Sequence, residues 1–272
     1  MQRGRRNALR LLGVGALAAN LPIQVALAAD AKDELAPAGK LRVAVAVAPA
    51  PSALYVVQNG PGSYRGVAVD IGKLLAKSLG VPVEFVPYQS SAEITAAADK
   101  NAWDVTFMPV DEERKKAVSF GAPYHILQST YLVAPGADIK DLAAANRPGV
   151  RIGGVPGTTT YRASAATATQ ATHIGAASVA EALDAMKAGK IDAIALSRET
   201  LSGLMGAIPG ARVLEGGFLN STTAVALPLG KSMALAYVTT FIETAKASGA
   251  VRRAFDDIGM KTSVVAPAGI PP

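Results

Sequence analysis

The stretch "MPVDEERKKAVSF", residues 108–120, carries six charged residues in a row directly after the apolar run "WDVTFMPV". Arg114 is the member with the most chemical potential. Its planar guanidinium presents paired N–H donors that match a carboxylate. Its charged neighbours fit a solvated helix face, and residue type alone leaves Arg114 open between a surface charge and a ligand grip.

A second candidate is "GGVPGTTTYR", residues 153–162. A strand ending at Val155, a tight turn at Gly157 and the threonines Thr158, Thr159 and Thr160 lead into an Ala-rich helix. A helix start exposes unpaired N–H groups and a partial positive charge, which seats an anion. Plain helix capping by the threonines is the alternative. A Walker phosphate loop is excluded, because its lysine is missing. His125 and His173 stand far apart with no acidic or histidine partner at ligand spacing, so no metal site is expected. No serine sits in a nucleophile elbow, and the chain has no cysteine, which excludes disulfides and thiol chemistry. No catalytic group and no cofactor is expected.

The elements that must position these residues alternate in type. "KLRVAVAV" at 40–47 and "VEFVPY" at 83–88 are short strand-like runs. Between them "GVAVDIGKLLAKSLG" places Ile71, Leu74, Leu75 and Leu79 on one helix face and stops at Gly80. "SAEITAAADKNAWDVTFMPV" is a helix begun at Ser91, a turn, and a strand opening at Trp103–Asp104, with Trp103 suited to a core. "SVAEALDAMKAGKIDAIALS" repeats that unit, with Ser178 and Glu181 in a capping box and Ile191–Asp192 before the strand. Strands alternating with helices imply a mostly parallel sheet covered on both faces. One unit used twice suggests two α/β lobes, with crossings near Thr130–Val133 and at 220–230. The organisation expected is an export signal at 1–28, a tether at 29–39, a first lobe at 40–126 plus 223–262, a second lobe at 127–222, and a loose tail at 263–272. A cleft between two lobes is where a ligand would sit.

Composition is that of a globular protein: 272 residues, 50% apolar and only 5% aromatic. The formal charge of +6 misleads, because Arg3, Arg5, Arg6 and Arg10 fall in the first 28 residues with no acid among them. The remainder is nearly balanced, so no nucleic-acid surface is expected. A basic start, a short interrupted apolar region and "ALA" at 26–28 read as a cleaved export signal. "RRNALR" resembles a twin-arginine signal, with Ala8 in place of its usual phenylalanine.

The order of "KLRVAVAV", "GVAVDIGKLLAKSLGVPVEFVPY", "WDVTFMPVDEERKKAVSFGAPY", "GVRIGGVPGTTTY", "SVAEALDAMKAGKIDAIAL" and "KASGAVRRAF" resembles the periplasmic solute-binding proteins of the polar amino acid ABC uptake family over roughly residues 40–262. The resemblance implies a two-lobed type II periplasmic-binding-protein fold with two crossover segments. It implies a non-enzymatic periplasmic monomer that closes on a small carboxylate by hinge motion and delivers it to an ABC permease in the inner membrane. By the same resemblance Arg114 grips the ligand's carboxylate, Thr158 and Thr159 meet it from the other lobe after Gly157, and Thr106 is a pocket hydroxyl. Departures stand beside these matches. Where the family places an acid for an ammonium group, this chain has Ser197 followed by Arg198. Ala46 and Pro49 stand in the first-lobe loop, and Pro109 replaces a serine. A carboxylic acid without an ammonium group, with Arg162 or Arg198 for a second acidic group, is one reading. An amino acid met by acids elsewhere is the other. A periplasmic enzyme on the same scaffold, resembling cyclohexadienyl dehydratases, is the rival class; the missing cleft carboxylates weigh against it.

Overall fold

The computed structural model describes residues 31–272. The expected export signal at 1–28, twin-arginine motif included, lies outside the described residues.

The strands of the first lobe are short and β-branched. β1 (Leu41–Val47) pairs in parallel with β2 (Tyr55–Gly60), β4 (Val83–Tyr88) and β5 (Val105–Pro109), while β3 (Ser63–Arg65) forms a hairpin with β2. α2 (Val67–Leu79) follows the helical segment 31–35, here α1, and ends where Gly80 turns left-handed at φ 65° and donates to Ala76 and Lys77. Its inner face is Val67, Ala68, Ile71, Gly72, Leu75 and Leu79. Leu74, expected on that face, is 40% exposed.

Two long strands tie the lobes together. β6 (Val118–Val133) pairs antiparallel with β11 (Leu219–Pro228), which also pairs with β5. At its far end β6 pairs with β9 (Ala193–Ser197), which continues in parallel to β7 (Arg151–Gly154) and β8 (Thr172–Gly175). The twelve strands described form the order β3-β2-β1-β5-β11-β6-β9-β7-β8, with β4, β10 (Arg212–Val213) and β12 (Val264–Val265) alongside.

One core packs α2, α9 (Ser232–Ala247) and α10 (Ala250–Asp257) against β1, with Leu41, Val43, Ile71, Val238, Ile242 and Phe255 fully buried. A second, around Tyr131, Val133 and Ile152, lies in the other lobe. A third contains residues of both lobes, among them Ala44, Trp103 and Met108 with Val155, Leu196 and Leu201.

The repeated unit is real at atomic detail. α3 (Ser91–Ala96) is capped by Ser90, one residue before the expected start, and Glu93 accepts from the Gln89 amide. α7 (Val179–Lys187) is capped by Ser178, and Glu181 accepts from the Ala177 amide. Asp104 receives the Arg42 amide, Nε and Nη2 at 2.8, 3.0 and 2.7 Å. Asp192 receives the same three groups of Arg151 at 2.9, 3.0 and 2.6 Å. Each pair clasps the start of one strand to the start of its parallel neighbour.

Two terminal expectations are corrected. The tether packs instead: Ala31 and Leu35 are fully buried, and Glu34 accepts from the Ala234 amide at 2.9 Å at the start of α9. The tail is not loose, because Val264 and Val265 pair with Ile126 and His125 of β6, and Lys246 donates to the Pro267 carbonyl at 3.0 Å. Apolar Val264–Val265 followed by Pro267 suits an edge strand, which prolines end but do not prevent.

Candidate ligand-binding site

Residues 111–116 after β5 form a short helix, α4 (Glu112–Lys115), capped by Asp111, whose Oδ1 accepts from the Arg114 amide at 2.9 Å. That cap turns Arg114 inward while Glu112, Glu113 and Lys115 remain at the surface. Arg114 is 1% exposed. Its Nη1 donates to the Pro109 carbonyl at 3.0 Å and its Nη2 to Ser91 Oγ at 2.7 Å. Among the described residues the buried Nε has no hydrogen-bond partner, and it lies 3.9 Å from Asp111 Oδ2. A buried donor left unpaired carries a desolvation cost of about 1–3 kcal/mol, more for a charged group. Burial pulls the guanidinium pKa down to about 10, with Asp111 opposing that shift and Arg162 adding to it, so Arg114 stays charged at neutral pH. Tyr55, buried nearby, is pushed up to about 12 by desolvation, against the attraction of Arg114.

The facing wall comes from the second lobe. β7 ends, Gly157 turns at φ 75°, and α6 (Thr159–Thr167) begins under the Thr158 cap. Thr158 Oγ1 donates to the Val155 carbonyl at 2.7 Å and accepts from the Tyr161 amide at 3.3 Å. Thr159 Oγ1 and Arg162 Nη2 both donate to Asp111 Oδ2 across the cleft. Arg162 Nη1 donates to the Gly157 carbonyl at 2.6 Å. The buried position of Asp111 would raise its carboxyl pKa. The Thr159 hydroxyl, the Arg114 amide and the charges of Arg114 and Arg162 outweigh that and hold it below the usual range.

Further contacts seal the lobes together. A Cβ on Gly157 would come within 2.9 Å of Ala92 in α3, and one on Gly203 within 3.0 Å of Ala50. Between the lobes remains a cavity of about 10 Å³, lined by Leu54, Tyr55, Ser91, Pro109, Leu127, Thr158–Thr160, Leu196 and Ser197. That is room for about one water.

The cleft therefore brings together Arg114, Gly157, Thr158, Thr159, Arg162 and Ser197. Arg114 sits one layer behind the cavity wall, held by Ser91 and Pro109, which are in it. Two other candidates are engaged elsewhere. Thr106 Oγ1 donates to the Ala44 carbonyl at 3.0 Å within the sheet. Arg198 donates to Gln128 Oε1 at 2.7 Å and to the Leu214 and Gly216 carbonyls at 3.0 and 2.6 Å, tying α8 (Arg198–Leu204) to β6 and to the segment between β10 and β11. Ser197 caps α8 and meets Thr200 Oγ1 at 2.7 Å. The histidines also find partners that chain spacing hides. His125 Nε2 lies 3.2 Å from Glu199 Oε1, and His173 Nε2 lies 2.9 Å from Ser164 Oγ. Sequence reasoning missed Asp111, Ser91 and Tyr55. For Asp111 a signal existed: an Asp three residues before the inward arginine is a helix cap.

A two-lobed α/β architecture with an arginine-and-threonine cleft can be compared with known proteins. The description "Bacterial extracellular solute-binding proteins, family 3" fits residues 41–257. The chain belongs to this family. No curated protein matches it in sequence. Among solved structures it is similar to the ancestral amino acid-binding protein AncCDT-1, described as a precursor of cyclohexadienyl dehydratase, at 28% identity and a TM-score of 0.71, covering 83% of this chain and 97% of that one. A mutant of ArgBP from T. maritima aligns at 21% identity and a TM-score of 0.74, over 84% of this chain and 98% of that one. An amino acid ABC transporter substrate-binding protein from Streptococcus pneumoniae, bound to L-arginine, aligns at 22% identity and a TM-score of 0.73, over 87% of this chain and 99% of that one. The last two likenesses carry the fold. By this membership the chain is a bacterial extracellular solute-binding protein.

Proposed function

We propose that this family member is the periplasmic, monomeric binding component of an ABC importer and carries a small carboxylate solute, an amino acid or a related organic acid, to its permease. The observation that carries the reading is the buried Arg114 guanidinium with an unpartnered Nε, set opposite the Thr158–Thr159 helix start of the other lobe. An anion bridging them would satisfy the orphan donor, oppose the burial that lowers the Arg114 pKa, and meet the positive end of α6. Because it touches both lobes, it would favour the closed arrangement by differential affinity.

Hinge closure is supported by the sheet itself. At Leu127–Gln128 opposite Ser221–Asn220 it narrows to two strands, between the β12 and β5 pairings on one side and the β9 pairing on the other. We place the hinge there. With about 10 Å³ free between the lobes, a solute enters only when they part.

An acid lacking an ammonium group fits this cleft best. Ser197, which stands where the family places an acid for the ammonium group, is a neutral hydroxyl meeting Thr200, and the described residues lining the cavity include no carboxylate. The lack of a carboxylate or histidine among those lining residues argues against the dehydratase reading, since proton transfer needs an acid or base poised in the cleft. Thermal-shift screening of keto acids, dicarboxylates, aromatic acids and amino acids tests the reading. The expected result is stabilisation by at least one carboxylate; stabilisation by none would contradict it, and aromatic product from prephenate would favour the enzyme.

A further inference from the structure

We infer that Asp111 is a built-in competitor for the solute's carboxylate: it seats its own carboxylate in the grip formed by Thr159, Arg162 and Arg114, latches the lobes together without solute, and so sets the affinity for any carboxylate that must displace it. The competition clause rests on the proposed carboxylate-binding function; the latch does not.

The two oxygens of Asp111 are divided between the lobes. Oδ1 serves its own lobe, capping α4 through the Arg114 amide. Oδ2 accepts from the Thr159 hydroxyl and from Arg162 Nη2 of the second lobe, and lies 3.9 Å from Arg114 Nε. Two donors expected to hold a solute carboxylate thus reach one protein oxygen, and the Arg114 guanidinium stands beside it without donating to it. The Asp111 side chain is 17% exposed and that of Arg162 33%, so this ion pair is largely shielded from solvent. A partly buried charge-assisted contact of this kind is stronger than an open surface pair.

Asp111 is also tethered, which favours it over a free solute. Its carboxylate is held by chain geometry at the cleft mouth, and its local concentration far exceeds that of a dilute ligand. Only a solute with contacts beyond its carboxylate overcomes that advantage, so Asp111 acts as a threshold against small anions. Asp111→Asn retains an oxygen for the α4 cap while turning an NH₂ donor toward the Thr159 and Arg162 donors.

Small-angle X-ray scattering on purified solute-free protein tests the latch, with Asp111→Asn and Arg162→Ala alongside and circular dichroism to verify folding. The expected result is a radius of gyration for the native protein equal to that calculated from the closed coordinates, and a larger one for both variants. A native radius already larger than the closed value, or closed radii in both variants, would overturn the latch. Arg162→Ala, altering a partly exposed side chain, keeps the test decisive if Asp111→Asn does not fold. For the competition, calorimetry with the carboxylate identified by thermal shift should give a dissociation constant at least fivefold lower for Asp111→Asn than for the native protein. An equal or higher constant overturns this part. If no carboxylate binds either protein, the proposed function fails while the scattering still decides the latch.

Discussion

Arg114 Nη2 donates to Ser91 Oγ at 2.7 Å, joining the helix after β5 to the first residue of α3 across 23 residues of chain. Both groups are 1% exposed, so neither has water as a substitute partner. Ser91→Ala should destabilise the protein by about 1.5–3 kcal/mol, the range for a hydrogen bond to a charged group. Urea unfolding checks this; a change below about 0.5 kcal/mol would mean that the guanidinium finds another acceptor.

Gly157 adopts φ 75° and lies so close to Ala92 that an added Cβ would approach within 2.9 Å of that side chain. Gly157→Ala should therefore cost about 1–2 kcal/mol for the left-handed backbone alone. The clash across the cleft should in addition push the lobes apart. Scattering would register the second effect as a larger radius, and thermal unfolding the first.

Asp104 and Asp192 make the same three hydrogen bonds to Arg42 and Arg151, but their side chains are 3% and 24% exposed. Breaking a buried ion pair from one side typically costs about 3–5 kcal/mol, far more than a solvated pair. Asp104→Ala should fall at the lower end of that range, since Arg42 is itself partly exposed, and Asp192→Ala should cost distinctly less. Equal losses by chemical denaturation would show that exposure does not separate the two clasps.

The clasps show how much the chain declares of its fold. The Ser178–Glu181 capping box and the Asp192 strand start are local patterns, and the structure reproduces them in both lobes, with Ser90 rather than Ser91 as the first cap. Gly80, Gly157 and the threonine helix start are legible for the same reason: each is decided within one turn of chain. Partners set by the closing of the sheet are not. Glu199 meets His125 from 74 residues away, and Asp111 meets Arg162 from 51. Leu74 belongs to the right periodicity, yet α2 rolls so that Gly72, packed on Val43, faces the core in its place. Val264 and Val265 read as tail because their strand partner lies more than a hundred residues earlier.

Asp111 titrates below the usual carboxylate range, so its folded-state pKa is depressed. Stability from such a group is fully present above its unfolded pKa of about 3.9 and is lost as pH falls through the folded value. The groups facing it are the guanidinium groups of Arg114 and Arg162 and the Thr159 hydroxyl. The interlobe contact should hold from neutral pH down to about pH 4 and weaken below it. Scattering as a function of pH would show this as expansion confined to the acid side; expansion between pH 5 and 8 would assign closure to another group.

The central claim is that Arg114 grips a carboxylate. Isothermal titration of the best-stabilising carboxylate into the native protein and into Arg114→Gln tests it most directly, with circular dichroism verifying the fold of both. At 100 times its dissociation constant that ligand should add about 2.7 kcal/mol to native stability. The account predicts native binding with no detectable heat in Arg114→Gln. Equal affinity in the two folded proteins would contradict it.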